Sequence, residues 1–257
     1  KEFVICGILG YINQKKLDIE KPLTILHHRG PDANGKTILN YESQFIGLGH
    51  TRLSILDLDS SSNQPFSFGE KLVIVYNGEI YNYLEIKQSL KNKGYQFSTK
   101  GDTEVLLRAY QHYGENVFSH LDGIFAFAIF DKQHKKLILA RDHLGIKPVY
   151  YFFNEKSKEF YFSSELKSLF AFPDVPRNIS KDSITEFLYN GWLYEPDTGF
   201  EKIFKVFPGS FIIYDFESRS IKHTKYFNIT NQEELNQYKS FNKKNIGDLI
   251  DKSISIQ

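Results

Sequence analysis

The one cysteine of this 257-residue chain, Cys6, lies in the run Cys6-Gly7-Ile8-Leu9-Gly10-Tyr11. A free cysteine is most often a small buried hydrophobe. A thiol followed by a glycine and an apolar alternation also reads as a nucleophile at the tip of a buried strand. Three other stretches hold groups that thiol chemistry would use. Arg52 interrupts a strand-like apolar run over residues 45–57, flanked by Leu53 and Ile55. It is read either as half of a partly buried ion pair or as a planar fork for a ligand carboxylate. Asn77-Gly78-Glu79 follows the β-branched run 72–76. Asn-Gly after a strand is a hairpin signal. A tight turn there, leading into the helical period of residues 83–93, would instead aim a side-chain amide and a backbone N–H outward together, the pair an oxyanion requires. Asp102, in Gly101-Asp102-Thr103-Glu104, is an N-cap for a helix running to about residue 112, or the seat of a ligand ammonium.

These groups need a frame. Residues 6–12 read as a strand and 20–28 as a helix ending in the turn His27-His28-Arg29-Gly30-Pro31-Asp32. Two adjacent histidines cannot face one metal ion from a regular element, and with no second cysteine no metal site is expected. Residues 123–131 with 136–142, and 149–153 with 159–163, form two hairpins. Residues 166–172 and 181–189 are helical, and 211–216 and 220–227 return to strand. Most Phe and Tyr residues lie in these segments, which makes them sheet core rather than a platform for bases. From residue 228 to 245 the composition turns polar, as in a linker, before an amphipathic helix with Ile246, Leu249, Ile250 and Ile254 on one stripe.

Composition excludes several classes. Thirty-two Lys and Arg against 31 Asp and Glu leave a net charge of +1, so no global field favours nucleic acid or an anionic membrane. The apolar run 124–130 is far too short to span a bilayer. One cysteine forbids an internal disulfide and points to a reducing, cytoplasmic compartment. The chain contains no Met, so residue 1 is not expected to be the translated start.

Seven motifs occur in order. They are Cys6-Gly7-Ile8-Leu9-Gly10, His28-Arg29-Gly30-Pro31-Asp32, Gly49-His50-Thr51-Arg52-Leu53-Ser54-Ile55, Asn77-Gly78-Glu79-Ile80-Tyr81-Asn82, Gly101-Asp102-Thr103-Glu104, Ala140-Arg141-Asp142-His143-Leu144-Gly145-Ile146-Lys147-Pro148 and Ser163-Ser164-Glu165-Leu166-Lys167-Ser168-Leu169. With them the chain resembles, over nearly its whole length, the N-terminal glutaminase domain of glutamine-hydrolysing asparagine synthetases. These are class II amidotransferases of the N-terminal-nucleophile (Ntn) hydrolase superfamily. The resemblance implies an α+β fold, a four-layer αββα sandwich of two stacked antiparallel sheets flanked by helices. It implies an extension or propeptide at 1–5, an amidotransferase domain at 6–227, and at 228–257 a linker and the start of a helix leading to a missing synthetase domain.

The resemblance also implies roles. Cys6 would be the nucleophile, with its own α-amine as base. Arg52 would bind the glutamine α-carboxylate and Asp102 its α-ammonium. The Asn77 side chain and the Gly78 N–H would form the oxyanion hole, and Glu79 and Ile55 would help position the substrate. An α-amine is matched to take the proton of a thiol at neutral pH. No cofactor is expected in this domain. ATP and Mg are implied for the synthetase domain, since neither a phosphate loop of the Gly-x-x-x-x-Gly-Lys type nor a Ser-Gly-Gly-x-Asp-Ser run is present. Glutamine and the C-terminal synthetase domain are the expected partners, and a homodimer is compatible with the family.

Two departures matter. Residues 1–5 precede Cys6, so the base would be an amide nitrogen until they are removed; a glutamine-binding or regulatory domain without catalysis is the alternative. His143 stands where the family usually has Pro, in a loop read as structural. Related glutaminase halves that feed sugar-phosphate or phosphoribosyl acceptors share the Cys-Gly-Ile start, but the Asn-Gly-Glu-Ile-Tyr-Asn and Leu-Gly-Ile-Lys-Pro runs point to the asparagine synthetase branch.

Overall fold

A computed structural model describes residues 6–53, 62–69, 71–228 and 243–255. Along the chain these form β1 (Gly7–Asn13), α1 (Glu20–Ile25), β2 (Ala33–Tyr41), β3 (Gln44–Arg52), β4 (Phe66–Phe68), β5 (Leu72–Ile80), α2 (Tyr83–Asn92) and α3 (Asp102–Tyr113). There follow β6 (Gly123–Asp131), β7 (Lys136–Arg141), β8 (Tyr150–Asn154), β9 (Glu159–Ser163), α4 (Leu166–Leu169), α5 (Lys181–Asn190), β10 (Ile203–Lys205), β11 (Ser210–Asp215), β12 (Ser220–Lys225) and α6 (Lys243–Ser255). The strands make two six-stranded antiparallel sheets, β10-β8-β9-β1-β3-β2 and β12-β11-β7-β6-β5-β4.

Side-chain alternation builds the layers. Ile8 and Ile12 of β1 and Ile46 and Leu48 of β3 pack against Val73 and Val75 of β5, Ala126 and Ala128 of β6, and Leu137 and Leu139 of β7, closing one sheet on the other. The intervening residues Leu9 and Tyr11 turn to the opposite face and meet Leu23, Leu26, Leu169 and Phe172 beneath α1 and α4. On the far side Ile74, Tyr76 and Phe127 meet Ile86 and Leu90 of α2 and Leu106 and Tyr110 of α3. Each fully buried side chain of this size contributes about 1.5–3 kcal/mol. The result is the four-layer αββα sandwich that the resemblance implies.

Both readings of Asn77-Gly78 as a turn are overturned. β5 runs unbroken to Ile80, in register with β6 from Leu72↔Asp131 to Ile80↔Gly123. Gly78 is there because an added Cβ would lie 2.7 Å from the Phe125 Cα on the neighbouring strand, so close approach rather than turn geometry selects the glycine. The chain turns at Tyr81 and Asn82, where the Tyr81 N–H donates to the Asp122 carbonyl at 2.7 Å. The helix expected at 20–28 ends at Ile25 and continues as a 3-10 turn over His27–Arg29. The one expected at 166–172 is the four-residue α4. Residues 54–57 of the run containing Arg52, Ile55 among them, and most of the stretch read as a linker lie outside the described residues.

Glycines on β1 and β3 make room for rings. Tyr11 pairs with Gly47, where a Cβ would sit 2.8 Å from the Tyr11 Cζ and closer still to the ring edge. The Tyr11 hydroxyl is fixed beyond it, accepting from the Leu17 N–H at 2.9 Å and donating to the Leu17 carbonyl at 3.0 Å. The ring cannot retreat. Gly47→Ala is expected to lower unfolding free energy by about 1–3 kcal/mol through overpacking, measured by urea titration; a change below about 0.5 kcal/mol would contradict this account of the register.

Candidate active site

Three strands present their inner faces at one end of the sandwich. The alternation that buries Ile8 and Ile12 carries Cys6 inward; the one that buries Ile46 and Leu48 carries His50 and Arg52; the one that buries Val73 and Val75 carries Asn77 and Glu79. These residues, with Gly78 and Asp102, line one cleft. The structure therefore brings together Cys6, Arg52, Asn77, Gly78, Glu79 and Asp102.

The edge of β5 is open here. β4 pairs with β5 only from Leu72 to Ile74, so beyond Ile74 the outward N–H groups of alternate residues have no strand to meet. Tyr76 N–H donates to Gln64 Oε1 at 2.6 Å and Ile80 N–H to Asp102 Oδ2 at 3.0 Å. Gly78 lies between them. Opposite it on β6, Phe125 turns its N–H and C=O to Asp142, at 3.3 and 2.8 Å, so Gly78 and Phe125 form a non-hydrogen-bonded pair and the Gly78 N–H faces the open edge. The neighbouring Asn77 side chain is fully buried, and neither its Nδ2 nor its Oδ1 has a partner among the described residues. A buried amide left unpaired costs about 1–3 kcal/mol, so this is a donor held ready at a cost in stability.

The Gly-Asp-Thr-Glu motif anchors three elements through three side chains. Gly101, not Asp102, occupies the N-cap of α3, which overturns the capping alternative for Asp102. The Asp102 carboxylate instead reaches β5, accepting from the Tyr76 hydroxyl at 2.7 Å as well as from Ile80 N–H. Thr103 Oγ1 accepts from Gln64 at 3.4 Å, and the Glu104 carboxylate gathers the N–H and hydroxyl groups of Ser98 and Thr99. Burial pushes the Asp102 carboxyl up, against the pull of its two donors and with Glu79 adding in the same direction. Such a site gains from a cation. Arg52 Nη1 donates to Asn63 Oδ1 at 2.6 Å, which aims the guanidinium along the cleft.

The nucleophile strand is seated by two motifs far apart in sequence. The Ile8 N–H donates to Ser164 Oγ at 3.0 Å and the Ser164 N–H to the Ile8 carbonyl at 2.8 Å. Arg29 donates to the Cys6 carbonyl at 3.2 Å and to Glu165 at 3.0 Å, and Glu165 also holds His28 and Lys167. The Cys6 sulfur accepts from the Leu53 N–H at 3.3 Å. Burial pushes the thiol up, while that N–H, Lys147 and Arg52 favour the thiolate.

His50, Tyr76, Gln64 and Lys147 line the cleft without having been anticipated from sequence. His50 carried a legible signal, a polar residue at an inward position of a quoted motif; Lys147, in a loop without alternation, did not. Gln64 and Tyr76 carried none.

A sandwich of two stacked antiparallel sheets between helical layers, with a thiol in the cleft at one end, defines the Ntn hydrolase class of fold. Within it the chain belongs to the glutamine amidotransferase domain family, whose model matches residues 5–227. A Methanocaldococcus jannaschii protein assigned as a glutamine-hydrolysing asparagine synthetase is 35% identical, covering 90% of this chain and 48% of its own length. Asparagine synthetase (glutamine-hydrolysing) 1 of Bacillus subtilis is 39% identical over 80% of this chain and 33% of its own length. The glutamine phosphoribosylpyrophosphate amidotransferase of Bacillus subtilis shares the fold, with a TM-score of 0.61 at 21% identity over 86% of this chain and 49% of that one. The chain thus spans half or less of the length of these proteins. No helix among the described residues is long and apolar enough to cross a membrane.

His50 gives a pH signature. Its Nε2 lies 3.1 Å from the Tyr76 carbonyl, which can only accept, so Nε2 carries the proton and Nδ1, also buried, has no partner among the described residues. Burial lowers its pKa to about 3, with Arg52 pushing the same way. The unfolded chain then binds the proton first as pH falls, so this stability is complete above the unfolded pKa and is lost downward from there toward about 3. Relative to His50→Gln, the wild type is expected to lose about 2 kcal/mol more between pH 7 and pH 5, read from paired urea titrations. Parallel pH dependences would show that His50 is not buried neutral.

Proposed function

We propose that this domain hydrolyses glutamine to glutamate and ammonia through a glutamyl thioester on Cys6. The observation that carries the reading is the Asn77 amide, without a partner among the described residues, beside the free edge at Gly78 in the cleft that Cys6 also lines. Glutamine is a zwitterion with a neutral amide at its far end. Arg52 and Asp102 offer one charge for each end of the amino-acid head, with Glu79 beside them. A ligand lacking either charge would forgo one of these two interactions.

The Cys6 thiol passes its proton to the Cys6 α-amine, freed once residues 1–5 are removed, and the sulfur attacks the side-chain carbonyl carbon. The carbonyl electron pair moves to oxygen, where the Asn77 Nδ2 and Gly78 N–H donate. Collapse reforms the carbonyl, breaks the C–N bond and returns the proton to the departing ammonia. Water then adds to the thioester, releasing glutamate and restoring the thiol. Two fixed donors are worth several kcal/mol in the transition state, about 3 for each.

The ammonia is proposed to serve an amide-forming synthetase domain, as the names of the relatives suggest; its dependence on ATP and Mg and a cytoplasmic setting are proposed with it from the sequence resemblance, and the glutaminase domain itself is proposed to take no cofactor. The second reading, a glutamine-binding domain without turnover, is favoured by the five residues ahead of Cys6.

A chain beginning at Cys6 is expected to release ammonia from glutamine, and Cys6→Ala to abolish release. Asn77→Ala should lower kcat about 100-fold or more with KM within a few-fold. Glutamine that raises the melting temperature of the Cys6-first chain while no ammonia forms would replace the proposal with the binding reading.

A further inference from the structure

The Ala-Arg-Asp-His-Leu-Gly-Ile-Lys-Pro loop, read from sequence as structural, is pinned along its length. The buried Asp142 carboxylate accepts from the N–H groups of Leu144, Ile146 and Lys147 at 3.1, 2.9 and 2.9 Å. The buried Arg141 guanidinium donates to the carbonyls of Lys147 and Val206 at 3.1 and 2.8 Å and to that of Gly145. Two buried charges spent on six backbone groups of five residues make a rigid platform. It holds out one charged side chain into the cleft. Lys147 is only 7% exposed, lines the same cleft as Cys6 and Glu79, and its ammonium makes no hydrogen bond or ion pair among the described residues.

We propose that Lys147 is a positioning residue of the glutaminase reaction, its ammonium acting through the Cys6 sulfur by favouring the thiolate. This deepens the reading above and rests on it. An ammonium buried without a partner is costly, and a site built to keep one has a negative charge for it to meet. The negative charge already standing there is Glu79. The one that appears in the reaction is the sulfur.

The groups around the pair come from several elements. Arg52 on β3 and the Leu53 N–H also favour the thiolate; Arg29 on the 3-10 turn opposes the Lys147 charge; Glu79 on β5 and Asp142 on the platform favour it. His50 on β3 is neutral, and Asp102 on α3 is engaged with Tyr76 and Ile80. Burial acts on both partners in the wrong direction, pushing the thiol up and the ammonium down, and their mutual attraction opposes both shifts.

The test needs no turnover. Cys6 is the only cysteine and the chain has no Met, so iodoacetamide alkylation reads one sulfur by intact mass. The thiolate forms the S–C bond, the C–I bond breaks and iodide leaves. The whole chain, with residues 1–5 attached, is alkylated across pH 6 to 10 as wild type, Lys147→Gln and Lys147→Arg. Lys147→Gln is expected to move the midpoint of the rate profile to higher pH and to slow alkylation at pH 7 by about tenfold, the order expected for loss of one nearby opposite charge. Lys147→Arg should stay within about threefold of wild type, since it keeps the charge. If Lys147→Gln does not fold, Lys147→Leu makes the same comparison. Superimposable profiles for the neutral variant and wild type, or equal shifts in the neutral and Arg variants, would overturn the proposal. Because alkylation does not depend on glutamine, failure of the hydrolysis assay and failure of this proposal are separate results.

Discussion

Side chains on a strand alternate strictly, and the site depends on that constraint. Cys6, Arg52 and Asn77 occupy the same inward phase as the apolar residues that weld the sheets together: Ile8, Leu48 and Val75. A slip of one residue in β1, β3 or β5 would exchange a cleft residue for one facing the helices. The register that closes the core therefore also fixes the site, without added parts. The second constraint is the shortness of β4. Had it paired along all of β5, the edge N–H groups would be spent on the sheet; because it stops opposite Ile74, two side chains, Gln64 and Asp102, take the first and third, and the one between stays available.

The cleft is the least economical part of the molecule. His50 is buried neutral with one nitrogen unpaired, the Asn77 amide is unpaired, and Asp102 and Lys147 are charged groups that burial disfavours. Elsewhere the buried carboxylates of Glu104 and Asp142 are well matched, the first with four donors and the second with its loop N–H groups, although Arg29 Nη2, Arg108 Nε and Thr224 Oγ1 also lack a partner among the described residues. Two unmet side chains and two disfavoured charges lining the same cleft are the physical mark of a surface shaped for something it does not yet hold.

The fold was legible in the sequence because motif order is specific and the apolar alternation of β1, β5, β6 and β7 is clean. β2, β4 and β10 were not. β2 opens Ala33-Asn34-Gly35-Lys36, a turn-like composition on a half-exposed edge strand, and β4 and β10 are three residues each, too short for any period to show. Asn77-Gly78 was misread because turn and strand share one composition when the neighbouring backbone, here at Phe125, approaches too closely for a Cβ. At Asp102, residue preference alone could not separate a cap from a bond to β5, since the partner lies 22 residues away. Lys147 was hidden by its neighbours: a loop whose backbone is so thoroughly tied reads as scaffold until its one inward side chain is seen.

The place of β1 also governs when this architecture can come into being. The strand carrying the thiol precedes both of its partner strands in the chain, yet it lies between β3 and β9 and is buttoned to Ser164. Its two borders close over separations of about 40 and 150 residues, and such distant pairings form slowly. The thiol therefore reaches its place in the cleft only after the chain as far as β9 has paired around it.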